Sequence, residues 1–224
     1  MDDVAILIPA YQPDENLVRL VGALRGMFAH VVVVDDGSTE GRAAFDAIRD
    51  HVEALLEHSA NRGKGRALKT GIAWIREHLP QIGGVVTADA DGQHEPDDIL
   101  RVAQATVARR GGLVLGVRTF EGPVPFRSRW GNGWTRILFR LLTGLWIRDT
   151  QTGLRGIPAD LLKRAGEIRG ERYEYETRML ADARHHVLPP LQIPVKTVYI
   201  EGNRSSHYRP FLDTIRTQKA LWFG

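Results

Sequence analysis

The chain has no cysteine among its 224 residues, which excludes a disulfide framework and any thiolate-bound metal and is compatible with a reducing cytosol. Nowhere does it carry the roughly 18 to 20 consecutive apolar residues needed to span a bilayer. The opening MDDVAILIPAYQP is acidic and its apolar run is short, so it does not read as a signal peptide. A large excess of one charge is also missing: the formal net charge is +3, modest for a protein that binds nucleic acid. No repeat and no break in composition divides the chain. What is present, 43% apolar and 25% charged residues, suits a soluble protein burying one core, read as a single domain over 1–224 with a different C-terminal third.

The apolar pattern alternates between two periods. Val4 to Pro9 is a continuous run of strand length, and Leu17, Leu20, Val21 and Leu24 recur at helical spacing between Asn16 and Met27. A β-branched run from Val31 to Asp36 ends in two acids. Helix Arg42 to Asp50, strand Val52 to Glu57, helix Lys64 to His78 and strand Gly84 to Asp89 follow, which predicts a mostly parallel sheet with crossover helices. Pro96 suits a first helical position, Asp97 and Asp98 complement the helix dipole, and Gly111-Gly112 can end that helix before a strand from Leu113 to Val117. Residues 1–117 therefore read as a doubly wound, Rossmann-like α/β unit. Ligands of such units bind outside the carboxyl ends of the strands, where Tyr11, Asp35, Asp36, Asp89 and Asp91 fall.

Two nucleotide-binding signatures are missing. The first strand runs into Pro9-Ala10-Tyr11-Gln12, with no glycine-rich turn for a pyrophosphate, and Asn61-Arg62-Gly63-Lys64-Gly65 lacks the spacing of a P-loop. That second segment still offers backbone donors and a lysine to an anion. The carboxylates Asp89 and Asp91, leaving a buried strand together, repel each other unless water, a cation or hydrogen-bond donors offset the charge. Oxygen ligands suit Mg2+ or Mn2+, ions that commonly bridge to phosphates, and Gln93 adds a neutral oxygen. An EF-hand loop begun at Asp89 would need Gly and Glu where His94 and Leu100 stand, which excludes it. A haloacid-dehalogenase-type phosphotransferase carries such a pair after its first strand, whereas this pair follows the fourth. For the pair alone, a solvated loop capping a helix stays open.

Taken in order, Ile8-Pro9-Ala10-Tyr11, Val34-Asp35-Asp36-Gly37-Ser38-Thr39, Asn61-Arg62-Gly63-Lys64-Gly65, Asp89-Ala90-Asp91-Gly92-Gln93-His94 and Asp149-Thr150-Gln151-Thr152-Gly153 resemble the family 2 glycosyltransferases of GT-A fold. Within that family they are most similar to the dolichyl- or polyprenyl-phosphate sugar synthases, over about Val4 to Arg216. The resemblance implies a nucleotide-diphospho-sugar donor, a divalent ion and inversion at the anomeric carbon. It implies that Pro9, Ala10, Tyr11 and Asp36 hold the base and ribose, that Lys64 lies near them, and that Asp89, Asp91 and Gln93 hold the metal against the diphosphate. Residues 1–117 would then be the donor half and 118–224 the acceptor and membrane half. One departure stands out: many relatives continue Pro-x-Tyr with Asn-Glu, where this chain has Gln12-Pro13, leaving Asp14 or Glu15 as substitutes for the family's glutamate.

From Arg118 to Arg148 there are six arginines against one acid, Glu121, together with Trp130, Trp134 and Trp146. Trp134, Ile137, Leu138, Leu141 and Leu145 recur at helical spacing, with Arg136, Arg140 and Thr143 elsewhere around the turn. This pattern fits either a helix packed on the sheet or one lying in a membrane interface. Relatives acting on lipid phosphates place interfacial helices at this position, so the resemblance implies peripheral membrane contact through 127–147 at the cytoplasmic face. It also leaves room for C-terminal membrane helices or a membrane partner subunit. Arg118, Arg127 and Arg129 are candidates for an acceptor phosphate, because a guanidinium can hold phosphate through two hydrogen bonds. Arg204 is a candidate to close on the diphosphate, and His207 to cap or pack its segment.

A lipid phosphate monoester has a second pKa of about 6, is already an anionic nucleophile at neutral pH, and needs little help from a base. A sugar-hydroxyl acceptor would need one, with Asp149, Glu174 and Glu176 as the possibilities. A nucleotide-sugar-binding subunit without catalysis is the third alternative. UDP-glucose and GDP-mannose are both consistent with the donor residues.

Overall fold

In the computed structural model, which describes residues 1–118 and 139–196, the sheet is built around its most apolar segment. Strand β1 (Val4–Ala10) leads through helix α1 (Glu15–Leu24) to β2 (His30–Asp35), then through α2 (Arg42–Ile48) to β3 (Ala54–Glu57). Helix α3 (Lys64–His78), strand β4 (Gly84–Thr87), helix α4 (Pro96–Ala108) and strand β5 (Val114–Arg118) follow. After residues 139–143, which are helical, come β6 (Arg155–Pro158), α5 (Leu162–Glu167), α6 (Glu174–Asp182) and β7 (Leu191–Val195).

The sheet order is β3-β2-β1-β4-β6-β5-β7. Strands β1 to β4 pair in parallel, as the alternating pattern predicts. Beyond β4 the pattern is insufficient: β6 enters antiparallel between β4 and β5, and β7 pairs in parallel with β5. Being antiparallel to both its neighbours, β6 leaves β4 and β5 pointing the same way. The carboxyl ends of β1, β2, β4 and β5 therefore share one edge, where the candidate site lies.

Alternation along β1 divides the core. Ala5 and Leu7 pack with Ala67, Leu68, Ile72 and Ile75 of α3, while Val4, Ile6 and Ile8 pack with Leu17, Val21, Ile99 and Val102 of α1 and α4. Each such fully buried aliphatic side chain stabilises by about 1.5–3 kcal/mol. Because both faces of β1 are covered, its register against β2 and β4 is strongly specified.

Several expected boundaries shift. Helix α1 ends at Leu24 rather than Met27, whose N–H closes onto the Leu24 carbonyl at 2.9 Å. Strand β4 stops at Thr87, so Asp89 belongs to the loop beyond it. The expected amphipathic helix through Leu145 also stops early: Gly144 adopts φ 74° and its N–H bonds the Arg140 carbonyl at 2.8 Å, a left-handed helix end. Leu141 is 77% exposed and Trp146 47%, with the Arg140 guanidinium 5.2 Å from the Trp146 ring, whereas Phe139 and Ile147 are buried. Trp134, Ile137 and Leu138 of the expected stripe lie outside the described residues. No helix among the described residues is long and apolar enough to cross a membrane.

Candidate active site

The carboxyl-end loop after β4 carries both acids of the pair. Lys64, the first residue of α3, places Nζ 2.6 Å from Asp89 Oδ1 and 3.0 Å from Glu176 Oε2 on the first turn of α6. Burial alone would raise the Asp89 carboxyl, but the Lys64 charge and His94, whose Nε2 is 3.7 Å from Asp89 Oδ2, outweigh it and hold Asp89 far below the usual carboxylate range. Burial would likewise lower the Lys64 ammonium, and the charges of Asp89 and Glu176 raise it instead. Asp91 moves the other way. Burial and the charge of Asp89 both raise its pKa, against a hydrogen bond from Gln93 N to Asp91 Oδ1 at 3.1 Å. The charges of His94 and Lys64 also pull it down, without prevailing over burial and Asp89.

The turn that presents Lys64 is held from below by Asp36. This buried carboxylate accepts the Arg62 N–H at 2.9 Å, the Gly63 N–H at 2.7 Å, and a 2.7 Å contact from His58 Nδ1, while His58 Nε2 meets Thr70 Oγ1 at 3.0 Å. Asp36, expected to meet the nucleotide, directs both oxygens into this turn. Gly63 takes φ 101°, and a Cβ there would lie 2.5 Å from the Glu171 carbonyl oxygen; a Cβ on Gly65 would lie 2.5 Å from Tyr175 Cβ. The glycines of Asn61-Arg62-Gly63-Lys64-Gly65 thus let the start of α3 dock on residues 171–175, which delivers Glu176 to Lys64.

A second strap comes from Asp149 to Gly153. A Cβ on Gly153 would sit 2.2 Å from Asp89 Oδ2, so only glycine leaves room for that carboxylate, and the Gly153 carbonyl accepts from Thr87 Oγ1 at 2.7 Å. At the other end of the strap, buried Asp149 accepts from Arg118 Nε at 2.6 Å and Nη2 at 3.2 Å. Four residues span about 14 Å at most, so the strap keeps the Arg118–Asp149 pair close to the acidic pair.

Among the expected donor residues, Pro9 and Ala10 end β1 and Tyr11 is 36% exposed just beyond. Gln12 N donates to Ser38 Oγ at 2.8 Å, and Gln12 Nε2 reaches the Tyr11 hydroxyl at 3.2 Å, which joins the first two motifs. Asp14 serves as the α1 cap, accepting from Asn16 N at 2.8 Å. Arg127, Arg129, Arg204 and His207 lie outside the described residues. Glu174 accepts the N–H groups of Glu171 at 3.0 Å and Arg172 at 3.2 Å, holding the turn before its own helix.

Sequence reasoning missed Arg155, 1% exposed, whose Nε donates to the Thr152 carbonyl at 2.8 Å and whose Nη1 donates to the Glu176 carbonyl at 2.5 Å. Burial lowers its pKa, with Glu176 opposing. It joins the strap to α6 beneath the site. His58 and His94 were also missed as site-building residues; His94 stood within a quoted motif, and His58 had no local signal.

The carboxylates of Asp89 and Asp91 and the amide oxygen of Gln93 are oxygen donors of the kind that suits Mg2+ or Mn2+, and the two carboxylates repel each other, the charge of Asp89 helping to raise the pKa of Asp91. Among the described residues no three His, Asp or Glu side chains form a cage by themselves. Mg2+ commonly takes one or two carboxylates and completes its shell with water and substrate phosphates.

Comparison with known proteins identifies the family and the fold. Residues 5–164 match the model for glycosyl transferase family 2. The UDP-N-acetylglucosamine–dolichyl-phosphate N-acetylglucosaminyltransferase of Methanococcus voltae is 30% identical over 223 residues, spanning 88% of this chain and 86% of that protein. The undecaprenyl-phosphate mannosyltransferase of Micrococcus luteus is 32% identical over 169 residues, 71% of this chain and 68% of that one. In fold, glucosyl-3-phosphoglycerate synthase from Mycobacterium tuberculosis, solved with Mn2+, UDP and glucosyl-3-phosphoglycerate, superposes with a TM-score of 0.71 at 15% identity, over 97% of this chain and 78% of that one. With its motifs gathered on one edge of a mostly parallel sheet, the chain belongs to glycosyl transferase family 2 and has the GT-A fold.

Proposed function

We propose that the protein transfers a sugar from a nucleotide-diphospho-sugar to a polyprenyl or dolichyl phosphate at a membrane surface, inverting the anomeric carbon. The observation that carries this reading is the state, among the described residues, of the three carboxylates considered as a general base. Asp149 is paired with Arg118, Glu174 accepts two backbone N–H groups, and Glu176 is held by Lys64. An acceptor that needs no base suits such a site, and a phosphate monoester is one.

Residues 1–117 form the donor half. Pro9, Ala10 and Tyr11 line the nucleotide side, and Asp36 shapes it through the turn it holds. Asp89, Asp91 and Gln93 would hold Mg2+ or Mn2+, which when bound supplies positive charge to the leaving diphosphate. Residues 118–224 form the acceptor half, with Arg127, Arg129 and Arg118, which keeps its pair with Asp149, on the lipid phosphate and Arg204 closing on the diphosphate. Exposed Leu141 and Trp146, with Arg140 against the Trp146 ring, fit a peripheral contact at the cytoplasmic face of the membrane. A C-terminal membrane segment or a membrane partner would reinforce it. In the reaction a phosphate oxygen of the acceptor forms the new bond to the sugar C1 as the bond from C1 to the diphosphate oxygen breaks, its electron pair leaving with the nucleoside diphosphate. The arginines keep two repelling anions in line.

Relatives are named for N-acetylglucosamine, mannose and glucose, so the test screens UDP-N-acetylglucosamine, GDP-mannose and UDP-glucose. Each donor is incubated with undecaprenyl or dolichyl phosphate, or with free sugars, with and without Mn2+. Metal-dependent formation of a lipid-linked sugar is expected. Transfer to sugar hydroxyls with none to lipid phosphate would overturn the acceptor class.

A further inference from the structure

Lys64 contacts the first acid of the pair and a carboxylate from a distant helix at once, at 2.6 and 3.0 Å. Its side chain is 19% exposed, so a solute can reach it, whereas that of Glu176 is only 10% exposed. Asp89 lies against Gly153, where a Cβ would come within 2.2 Å of its other oxygen, so the strap backs the carboxylate on the side away from Lys64. An ammonium has three N–H donors on a flexible four-carbon stem, and two are spent on carboxylates. Resting on the nucleotide-sugar reading of this site, we propose that Lys64 is a gate for the divalent cation. In the free protein it occupies Asp89; the diphosphate of the donor draws it away, with Glu176 as the pivot, and Asp89 then becomes available as a ligand. The cation consequently binds with the nucleotide and only weakly without it.

The reasoning is one of competing cations. Asp89 and Glu176 both contact Lys64 and Asp91 lies within reach of their charge, and like charges held together need a counter-ion. Among the described residues Lys64 is the cation that bridges Asp89 and Glu176 directly, with His94 3.7 Å from Asp89 and Arg155 3.9 Å from Glu176. A dication approaching Asp89 meets both the ammonium's repulsion and an occupied oxygen, so free protein resists it. A diphosphate offers Lys64 an alternative anionic partner and offers the dication further oxygens. Nucleotide and metal must then strengthen each other's binding reciprocally.

The gate is tested by Mn2+ binding, followed by electron paramagnetic resonance of free Mn2+, in wild type and Lys64→Met, with and without UDP or GDP. No turnover is involved. In Lys64→Met without nucleotide, Mn2+ should bind about tenfold or more tightly than in wild type, and the enhancement given by nucleotide should shrink by a similar factor. Lys69→Met is the charge control: it removes an ammonium from the next turn of α3, one bonded to Glu171 Oε1 at 2.6 Å. A Lys64→Met effect no larger than this control overturns the gate. If Lys64→Met alone does not fold, the pair Lys64→Met with Glu176→Gln, which removes one charge of each sign, carries the same prediction. If wild type takes up no Mn2+ with either nucleotide, the metal reading of the site falls and the gate with it; if wild type does and the variant matches it, only the gate falls.

Discussion

Replacing Gly153 by alanine tests whether the strap positions the acidic pair. The added Cβ would lie 2.2 Å from Asp89 Oδ2, 2.6 Å from its Cγ and 2.7 Å from Oδ1. Ordinary van der Waals contact requires a retreat of about 1 Å or more, and Asp89 is the group that must yield, because the Gly153 carbonyl is held by Thr87. Forcing a methyl into a packed site costs about 1–3 kcal/mol, and each kcal/mol lowers the melting temperature by about 2–4 °C in a chain of this size. A displacement of about 1 Å in a positioning group lowers turnover by about 100-fold. Initial rates of sugar transfer and circular-dichroism melting measure both effects. Gly22→Ala is the control: it lies in α1, a Cβ there meets nothing within 4 Å, and helix propensity predicts a gain of about 0.5–1 kcal/mol with wild-type turnover. A Gly153→Ala enzyme that keeps its rate would refute the claim that the strap places Asp89 for catalysis.

Asp91→Asn should abolish metal-dependent transfer and at the same time raise the melting temperature of the metal-free protein at pH 7. The sign follows from its raised pKa: an acid of this kind destabilises the fold when ionised, and the penalty disappears below about pH 4, where the carboxyl is protonated both folded and unfolded. Melting at pH 7 and near pH 3 should therefore show the gain only at the higher pH, and a gain equal at both would reject this account. Asp36→Asn leaves the Arg62 and Gly63 N–H groups with one acceptor oxygen in place of two and replaces a charge-assisted contact to His58, a loss of about 2–3 kcal/mol in urea unfolding. Unchanged stability would show that the turn carrying Lys64 is held by other groups.

Much of the architecture was legible because its causes are local. The β-branched runs and 3.6-residue spacing located β1 to β4 and their helices within a few residues, and the start of α3 at Lys64 came out as read. The Asp89 and Asp91 pair was legible as well, since two acids leaving an apolar run need an explanation wherever the chain goes. The antiparallel entry of β6 was not: Arg155-Gly156-Ile157-Pro158 is short, and its position between β4 and β5 depends on pairing partners from both sides. Arg155 itself reads as a surface residue, because arginine is almost never fully buried without partners, and its partners are backbone carbonyls that no side-chain pattern reveals. The helix expected through Leu145 failed on one residue, Gly144, whose left-handed turn outweighed the apolar spacing around it.

The sequence by itself determined the alternation of strand and helix, the acids at the strand ends and the ordered motifs, all set by side-chain period and turn chemistry over a few neighbouring residues. Only the tertiary structure decided which charges face one another: Lys64 with Glu176, Arg118 with Asp149, and Gly153 against Asp89. The physical reason is that a carboxylate's partner and pKa depend on what lies within a few ångströms in space, and crossovers of the sheet bring those groups together from segments whose local patterns are independent of one another.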